Sequence, residues 1–292
     1  MTSVGIIGTG MLGSAVGIHL LDSGFELTTY NRTKNKTREL AKKGAKVVDF
    51  PKDVAKASDV VFTIVKNADA VKDVSFGKNG IIEGKHDGLV VADISTINPV
   101  ESKSIAKKFS EHGITMLDTP VMGGPNVEID GKLVMMASGD KATFEKYRKV
   151  FDTIANQVFF LGENGTAHSV KLAMNIQIAM LALAISEGIM LARGANVDPE
   201  IFLKILNSTY FKTGMSENKA YKMIKDSFEP TFTLNNLKKD LDTINEAARA
   251  FGVSLPISTK ANEIFQKAVD AGFGDFDYTA ILAYIMKLSK QK

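Results

Sequence analysis

MTSVGIIGTGMLGSAVGIHLL, residues 1–21, is the stretch whose reading decides the fold. Its first apolar run, VGIIG, has the length of a buried strand, and a helical pattern begins near Met11. Between them stands Gly8-Thr9-Gly10-Met11-Leu12-Gly13, a G-x-G-x-x-G that follows a strand and opens a helix, the setting in which this spacing is informative. Gly8 permits the tight turn, Gly10 lets a pyrophosphate approach the backbone, and Gly13 lets helix and strand pack closely. The helix N-terminus then meets a negative charge. Met11 and Leu12 belong to the same loop and are counted with Gly8, Gly10 and Gly13 as cofactor-binding residues. The stretch has no basic n-region and its glycines break the apolar run, so it does not read as a secretory signal.

Working outward, the runs VGIIG, FELTTY, AKVVDF, DVVFTIV, GLVVADIS and GITMLD alternate with amphipathic stretches from Ser3 to Leu117. This is the sequence form of a parallel sheet covered on both faces. The fold expected is α/β, an N-terminal Rossmann-type doubly wound sheet. After Asp118 come the Gly/Pro-rich loop TPVMGGPNVEIDG, a strand in KLVMMASGD, an amphipathic helix near Ala142 to Phe151, and a strand in QVFFLG. From Glu163 onward almost every segment carries a helical period, and Asp198-Pro199 has the form of an N-cap followed by a first helical position. We therefore expect a dinucleotide-binding domain over 1–162 and an all-α C-terminal domain over 163–292, joined by a long interdomain helix and completing the active site. Val170 to Ala192 is apolar, but Lys171, Asn175, Gln177, Ser186 and Glu187 interrupt it, which suits a buried helix better than a membrane span. No membrane partner is expected, and the basic tail KLSKQK reads as a solvated end.

A chain of 292 residues is comfortable for two domains. Its 36 Lys and Arg against 33 Asp and Glu leave a formal charge of only +3, with the basic residues scattered, which argues against nucleic acid as a partner. The absence of cysteine removes disulfides, thiolate catalysis and cysteine-ligated metals, and fits a reducing, cytoplasmic setting. His19, His86 and His112 show no metal-ligand spacing, so no metal is expected.

The second strand ends at Tyr30, and Asn31-Arg32-Thr33 follows where an NAD-selective site would place an acidic residue. Arg32 can offer its fork of donors to a 2′-phosphate, with Asn31 and Thr33 adding neutral hydrogen bonds, which points to NADP over NAD. The alternative is a solvated turn of Arg32 and Lys34. Val65-Lys66-Asn67 ends the fourth strand and Ser95-Thr96 the fifth, and ligands of such sheets bind outside the carboxyl ends of strands. Both segments are candidates to line the cofactor, although Thr96 could equally cap the helix that starts near Asn98-Pro99.

Four segments in order, GIIGTGMLG, DTPVMGGPNVEIDGKLVMMASGD from Asp118, GTAHSVKLAMN from Gly165 and LKKDLDTINEAARAFGVSLP from Leu237, resemble the β-hydroxyacid dehydrogenase family. That family includes 3-hydroxyisobutyrate dehydrogenase, tartronate semialdehyde reductase, and the succinic semialdehyde and glyoxylate reductases, and the resemblance spans the whole chain. It implies that the loop after Asp118 holds the substrate carboxylate through the backbone N–H groups of Gly123 and Gly124, which no Cβ obstructs. Many members carry Ser just before this pair; Met122 removes that hydroxyl and adds an apolar arm, which leaves the identity of the acid open. Ser95 is counted among the substrate contacts. The resemblance places the catalytic lysine at Lys171 and its partner asparagine at Asn175, four residues apart and so on one helix face. Lys171 would protonate the carbonyl oxygen as hydride arrives, or take the hydroxyl proton in the reverse direction. Asn175 would orient Lys171 or bond the substrate. Phe232 (toward substrate) and Lys239 (toward cofactor) would approach from the helical domain, although Phe232 also reads as a core aromatic and Lys239, beside Lys238, as solvent-facing. His168, one turn before Lys171, reads as a local hydrogen-bonding residue and receives no role.

The resemblance thus implies a dehydrogenase or reductase acting on a small carboxylate-bearing substrate, a hydroxy acid or its semialdehyde, and Asn31-Arg32-Thr33 adds the preference for NADP over NAD. It also implies a homodimer or homotetramer packed through the helical domains. Imine reductases share the architecture and an NRT-like signature but generally lack a lysine at the position of Lys171. The 6-phosphogluconate dehydrogenases are much longer and bind a sugar phosphate with basic residues not evident in this chain. A non-catalytic NADP-binding sensor is disfavoured by Lys171, Asn175 and the Gly123-Gly124 loop occurring together.

Overall fold

The six apolar runs pair as one parallel sheet in the computed structural model, which describes residues 2–124 and 133–290. Strands β1 (Ser3–Ile7), β2 (Glu26–Tyr30), β3 (Lys46–Val47), β4 (Val60–Thr63), β5 (Val90–Asp93) and β6 (Thr115–Asp118) lie in the order β3-β2-β1-β4-β5-β6. The direction of winding reverses between β1 and β4, and the crevice at such a point is where these sheets take ligands. The central strands are buried on both faces, which is why they read as continuous apolar runs rather than alternating ones. β3 is the exception: AKVVDF pairs only over Lys46–Val47, at the sheet edge.

Helices cover both faces. On one, Val16 and Leu20 of α1 (Met11–Asp22) and Leu40 of α2 (Arg38–Lys42) pack with Val4, Ile6, Val60 and Phe62. On the other, Val54 of α3 (Pro51–Lys56), Val71 of α4 (Ala68–Phe76) and Phe109 of α5 (Pro99–Glu111) pack with Ile7, Val61 and Val91. A second, three-stranded sheet follows: β7 (Val121–Met122) antiparallel to β8 (Leu133–Ala137), which is parallel to β9 (Ala155–Phe160). The two expected strands are present. The amphipathic run near Ala142 to Phe151 instead breaks at Tyr147 into α6 (Lys141–Lys146) and α7 (Arg148–Ile154). Within the TPVMGGPNVEIDG loop, Val121–Met122 is strand, and residues 125–132 lie outside the described residues.

The chain divides into two compact units, Met1–Lys171 and Leu172–Lys292. The division falls inside α8 (Thr166–Gly194), whereas the change of sequence pattern puts it at 162. Packing explains the difference, because the first turn of α8 is tied into the sheet unit. Gly165 N donates to the Asp118 carboxylate, Ala167 N donates to Ser138 Oγ at 3.2 Å, and His168 is fully buried.

The second unit holds the rest of α8, then α9 (Pro199–Asn207), α10 (Gly214–Asn218), α11 (Ala220–Ile224), α12 (Leu234–Phe251), α13 (Pro256–Ala268) and α14 (Ile281–Lys290). As expected, Asp198 caps α9 by accepting from Glu200 N at 2.8 Å, and Pro199 is its first residue. Leu172, Ala179, Ala182 and Leu183 of α8 form a core with Leu237, Leu241 and Ile244 of α12 and Phe265 of α13. By length and composition α8 could cross a membrane, but it carries Asn175 and Ser186 on its buried face.

Candidate active site

The glycine loop is built as its spacing requires. Gly8 has φ +103°, and a Cβ there would lie 2.2 Å from the carbonyl oxygen of Ile64. A Cβ on Gly13 would lie 2.0 Å from Gly8 O, so both glycines are imposed by the chain's own packing. Gly10 differs, because nothing among the described residues stands within 4 Å of an added Cβ. Its openness answers no internal need and leaves room for a ligand to reach the backbone. Gly10 is also the N-cap of α1, with no side chain bonded into the cap and no acidic residue in the first turn. The Thr9 hydroxyl is buried with no hydrogen-bond partner among the described residues. A bare helix N-terminus of this kind fits the phosphates of a dinucleotide.

Asn31 holds this loop in place. Its carboxamide oxygen accepts from Thr9 N at 3.0 Å and its nitrogen donates to Thr33 O at 2.9 Å, so it serves the loop as well as any ligand. Arg32 and Thr33 are exposed, and Lys34 pairs with Asp49 at 2.7 Å. Met11 is half-exposed, while Leu12 packs toward the core.

At the carboxyl ends of β4 and β5, Val65 N donates to Ser95 Oγ at 3.0 Å, and Ser95 Oγ donates to Asp93 Oδ1 at 2.8 Å. Ser95 is thus buried and engaged within the protein, and Lys66 is exposed. The cap of α5 is Asn98, which accepts from Val100 N at 2.9 Å, and so that role does not fall to Thr96.

In the same unit Lys171 Nζ donates to Met122 Sδ at 3.3 Å, which brings the amino group to the residue before Gly123 and Gly124. Gly123 adopts φ +114°, a conformation other residues rarely take, and among the described residues nothing lies within 4 Å of a Cβ built on Gly124. In the helical unit, Asn175 is buried and its Nδ2 donates to Asp240 Oδ2 at 2.7 Å, leaving its carbonyl oxygen without a partner among the described residues. Asp240 also lies 2.6 Å from Lys239 Nζ, so one carboxylate holds both side chains. Phe232 packs edge-on against Tyr278 with centroids 6.0 Å apart, a core role.

Sequence reasoning passed over Asp240, Asp93 and His168. Asp240 stands within the buried stripe Leu234, Leu237, Leu241, Ile244 of α12, and a carboxylate at an apolar helical position is a detectable signal. His168 likewise precedes Leu172, Asn175 and Ala179 on the buried face of α8, and both of its ring nitrogens lack a hydrogen-bond partner among the described residues. It is a core residue between two carboxylates rather than a local hydrogen-bonding one. Among the described residues no group of three His, Cys, Asp or Glu side chains could hold a metal ion.

A glycine loop open at Gly10 on a doubly wound sheet, and a lysine on the helix that leaves that sheet unit, fit a nicotinamide-dependent oxidoreductase. Comparison with known proteins carries the assignment further. Residues 3–162 match the NAD binding domain of 6-phosphogluconate dehydrogenase, and residues 165–285 match the NAD-binding family of NADP-dependent 3-hydroxyisobutyrate dehydrogenase. Glyoxylate/succinic semialdehyde reductase 1 of Arabidopsis thaliana is 32% identical over 288 residues, covering 99% of each chain. The 2-hydroxy-3-oxopropionate reductase of Escherichia coli is 30% identical over 291 residues, also 99% of each. A crystal structure of 3-hydroxyisobutyrate dehydrogenase from Salmonella typhimurium matches with a TM-score of 0.89 at 25% identity, covering 97% of this chain and 100% of that one. The chain belongs to the β-hydroxyacid dehydrogenase family and is an NAD(P)-dependent hydroxyacid dehydrogenase.

Proposed function

We propose that the enzyme moves hydride between NADP(H), used in preference to NAD(H), and a small hydroxy acid or its semialdehyde, with Lys171 as general acid and base. The observation that carries this reading is the 3.3 Å contact of Lys171 Nζ with Met122 Sδ, beside the Gly123-Gly124 pair, in which Gly123 takes a positive φ and Gly124 is open among the described residues. A thioether is a weak acceptor, so Met122 steadies the amino group without competing strongly for its proton. The N–H groups of Gly123 and Gly124 would hold the substrate carboxylate. When bound, the nicotinamide supplies or accepts the hydride. Lys171 would give its proton to the carbonyl oxygen as negative charge develops there, and would remove the hydroxyl proton in the opposite direction. Asn175, four residues on and fixed by Asp240, takes the orienting role.

The NADP preference rests on Arg32, exposed in a segment that has no carboxylate. One charge-assisted contact of about 1.5–3 kcal/mol would favour NADP by roughly ten- to a hundredfold. Arg32→Glu should weaken NADPH binding by that factor and leave NADH binding nearly unchanged; an unaltered preference would move the 2′-phosphate site elsewhere. The reading includes self-association, supported by the exposed apolar side chains Leu191, Ile201, Ile205 and Phe211 in the helical unit, which a second copy would cover.

The test of the chemistry is NADPH oxidation with glyoxylate, succinic semialdehyde, methylmalonate semialdehyde and tartronate semialdehyde. Lys171→Ala should keep NADPH binding and lose roughly 10²- to 10⁴-fold in turnover. Turnover near the parent level would sink the catalytic role.

A further inference from the structure

Beneath the carboxyl ends of β4, β5 and β6 lies a polar cluster that the chemistry above does not use. Asp93 ends β5, Asp118 ends β6, His168 sits in the first turn of α8, and all three are fully buried. Asp118 is well satisfied: Oδ1 accepts from Ser102 Oγ at 2.6 Å and Asn164 Nδ2 at 3.1 Å, and Oδ2 accepts from Ser138 Oγ at 2.8 Å and from Gly165 N. Asp93 is satisfied on one side only. Its Oδ1 accepts from Thr63 Oγ1 at 2.5 Å and from Ser95 Oγ at 2.8 Å, but Oδ2 accepts no hydrogen bond among the described residues. What Oδ2 does face is His168 Nε2, at 3.5 Å, and the same nitrogen lies 3.7 Å from Asp118 Oδ1.

Buried carboxylates and imidazoles are expensive, and unsatisfied ones call for a reason. Connectivity supplies one. Ser95 Oγ donates to Asp93 and accepts from Val65 N, so Asp93 is tied to the segment after β4 that is a candidate to line the cofactor. Through His168 it faces the helix turn that leads, three residues later, to Lys171. We propose that Asp93 and His168 are positioning residues that set the helix turn bearing Lys171 against the Val65 segment. The proposal rests on the reading of Lys171 as the proton-transfer group. Burial, reinforced by the charge of Asp118, pushes the Asp93 carboxyl up to about 6, against the pull of His168, Thr63 and Ser95. Activity should therefore fall as the pH drops through about 6 and Asp93 loses the charge that orients His168.

The experiment uses the full chain and compares parent, Asp93→Asn, Thr63→Val and Lys171→Ala between pH 5 and 8, recording kcat, KM and NADPH binding by fluorescence. Asp93→Asn should lower kcat by about tenfold or more at pH 7.5, since small misplacements of a reacting group carry penalties of this order. It should keep NADPH binding within about threefold and lose the inflection near pH 6. Thr63→Val removes one donor to Asp93 and should move the inflection to higher pH, which a purely structural role would not do. Parent-like kcat and pH profile in a folded Asp93→Asn would overturn the proposal. If Asp93→Asn does not fold, an unmoved inflection in Thr63→Val overturns it instead. Lys171→Ala separates the two ideas: parent-like turnover there removes the lysine reading and this proposal with it, whereas loss of turnover beside a parent-like Asp93→Asn removes this proposal alone.

Discussion

Each unit buries two aspartates, Asp93 and Asp118 in the sheet unit and Asp240 and Asp277 in the helical one, and Asp277 and Asp93 are treated differently. In the helical unit, Asp277 accepts from Lys219 Nζ at 2.9 Å, from both Oγ1 and N of Thr231, from Phe232 N, and from both Oγ1 and N of Thr279. Burial alone would raise this carboxyl, but Lys219 and the surrounding donors hold it below the usual carboxylate range. In the sheet unit, Asp93 has two hydroxyl donors on one oxygen and a histidine at 3.5 Å from the other, and burial wins. Asp277 is built to stay charged through the neutral range and to join the loop before α12 to the turn before α14. Asp93 is built so that its charge can change within the range in which an enzyme works. Complete satisfaction marks a structural buried charge, and incomplete satisfaction marks a candidate for function.

The comparison is most exposed to failure at Asp277. Asp277→Ala should destabilise the protein by about 3 kcal/mol or more, the low end for breaking a buried pair, because Lys219 keeps partial access to water. Urea denaturation at pH 7 measures it. Asp277 is depressed, so its contribution is fully present above the unfolded carboxylate value and fades as the pH falls through the lower folded one. The variant should therefore differ least from the parent in acid. A loss below about 1 kcal/mol at pH 7 would mean that Asp277 and its donors are no structural anchor.

Asp93→Asn should act with the opposite sign. Its folded value lies above the unfolded one, so the group favours the folded state most in acid, and that contribution is lost as the pH rises from about 4 to about 6. The displacement corresponds to no more than about 3 kcal/mol. The variant should match the parent near pH 4 and be the more stable of the two at pH 7 while turning over more slowly, a trade of stability for activity. Denaturation midpoints across that range check this, and a variant less stable than the parent at pH 7 would assign Asp93 to the same structural class as Asp277.

Much of this was legible in the residues because burial on both faces writes parallel strands as apolar runs, and because a phosphate cradle needs glycines at fixed spacing. β3 was overdrawn since an edge strand stops pairing before its apolar residues end. β7 was missed since two residues inside a Gly/Pro-rich loop carry no period. The domain line at 162 followed the change of pattern, whereas the compact units divide inside α8, where hydrogen bonds to Asp118 and Ser138 hold its first turn in the sheet unit. In the site, the glycine loop stands out by its spacing, and Lys171 and Met122 are picked out by the family resemblance. Asp93 did not, because one charge at the end of GLVVADIS reads as the strand's edge, and the Thr63 and His168 that it faces stand 30 and 75 positions away.

The smallest expected effects separate the two aspartates most directly. Thr279→Val and Thr63→Val each remove one hydroxyl donor from a buried carboxylate with little change of shape. A hydrogen bond to a charged group contributes about 1.5–3 kcal/mol, and the remaining donors at each site should hold the loss to about 1–2 kcal/mol. The pH dependence should differ. Asp277 stays ionised from pH 5 to 8, so the loss in Thr279→Val should be nearly constant over that range. Asp93 is protonated below about 6, and a neutral carboxyl has less to lose when a donor is withdrawn, so the loss in Thr63→Val should grow as the pH rises through that value. Two flat profiles would mean that both carboxylates keep one charge state throughout, and the contrast between the clusters would then be one of geometry alone.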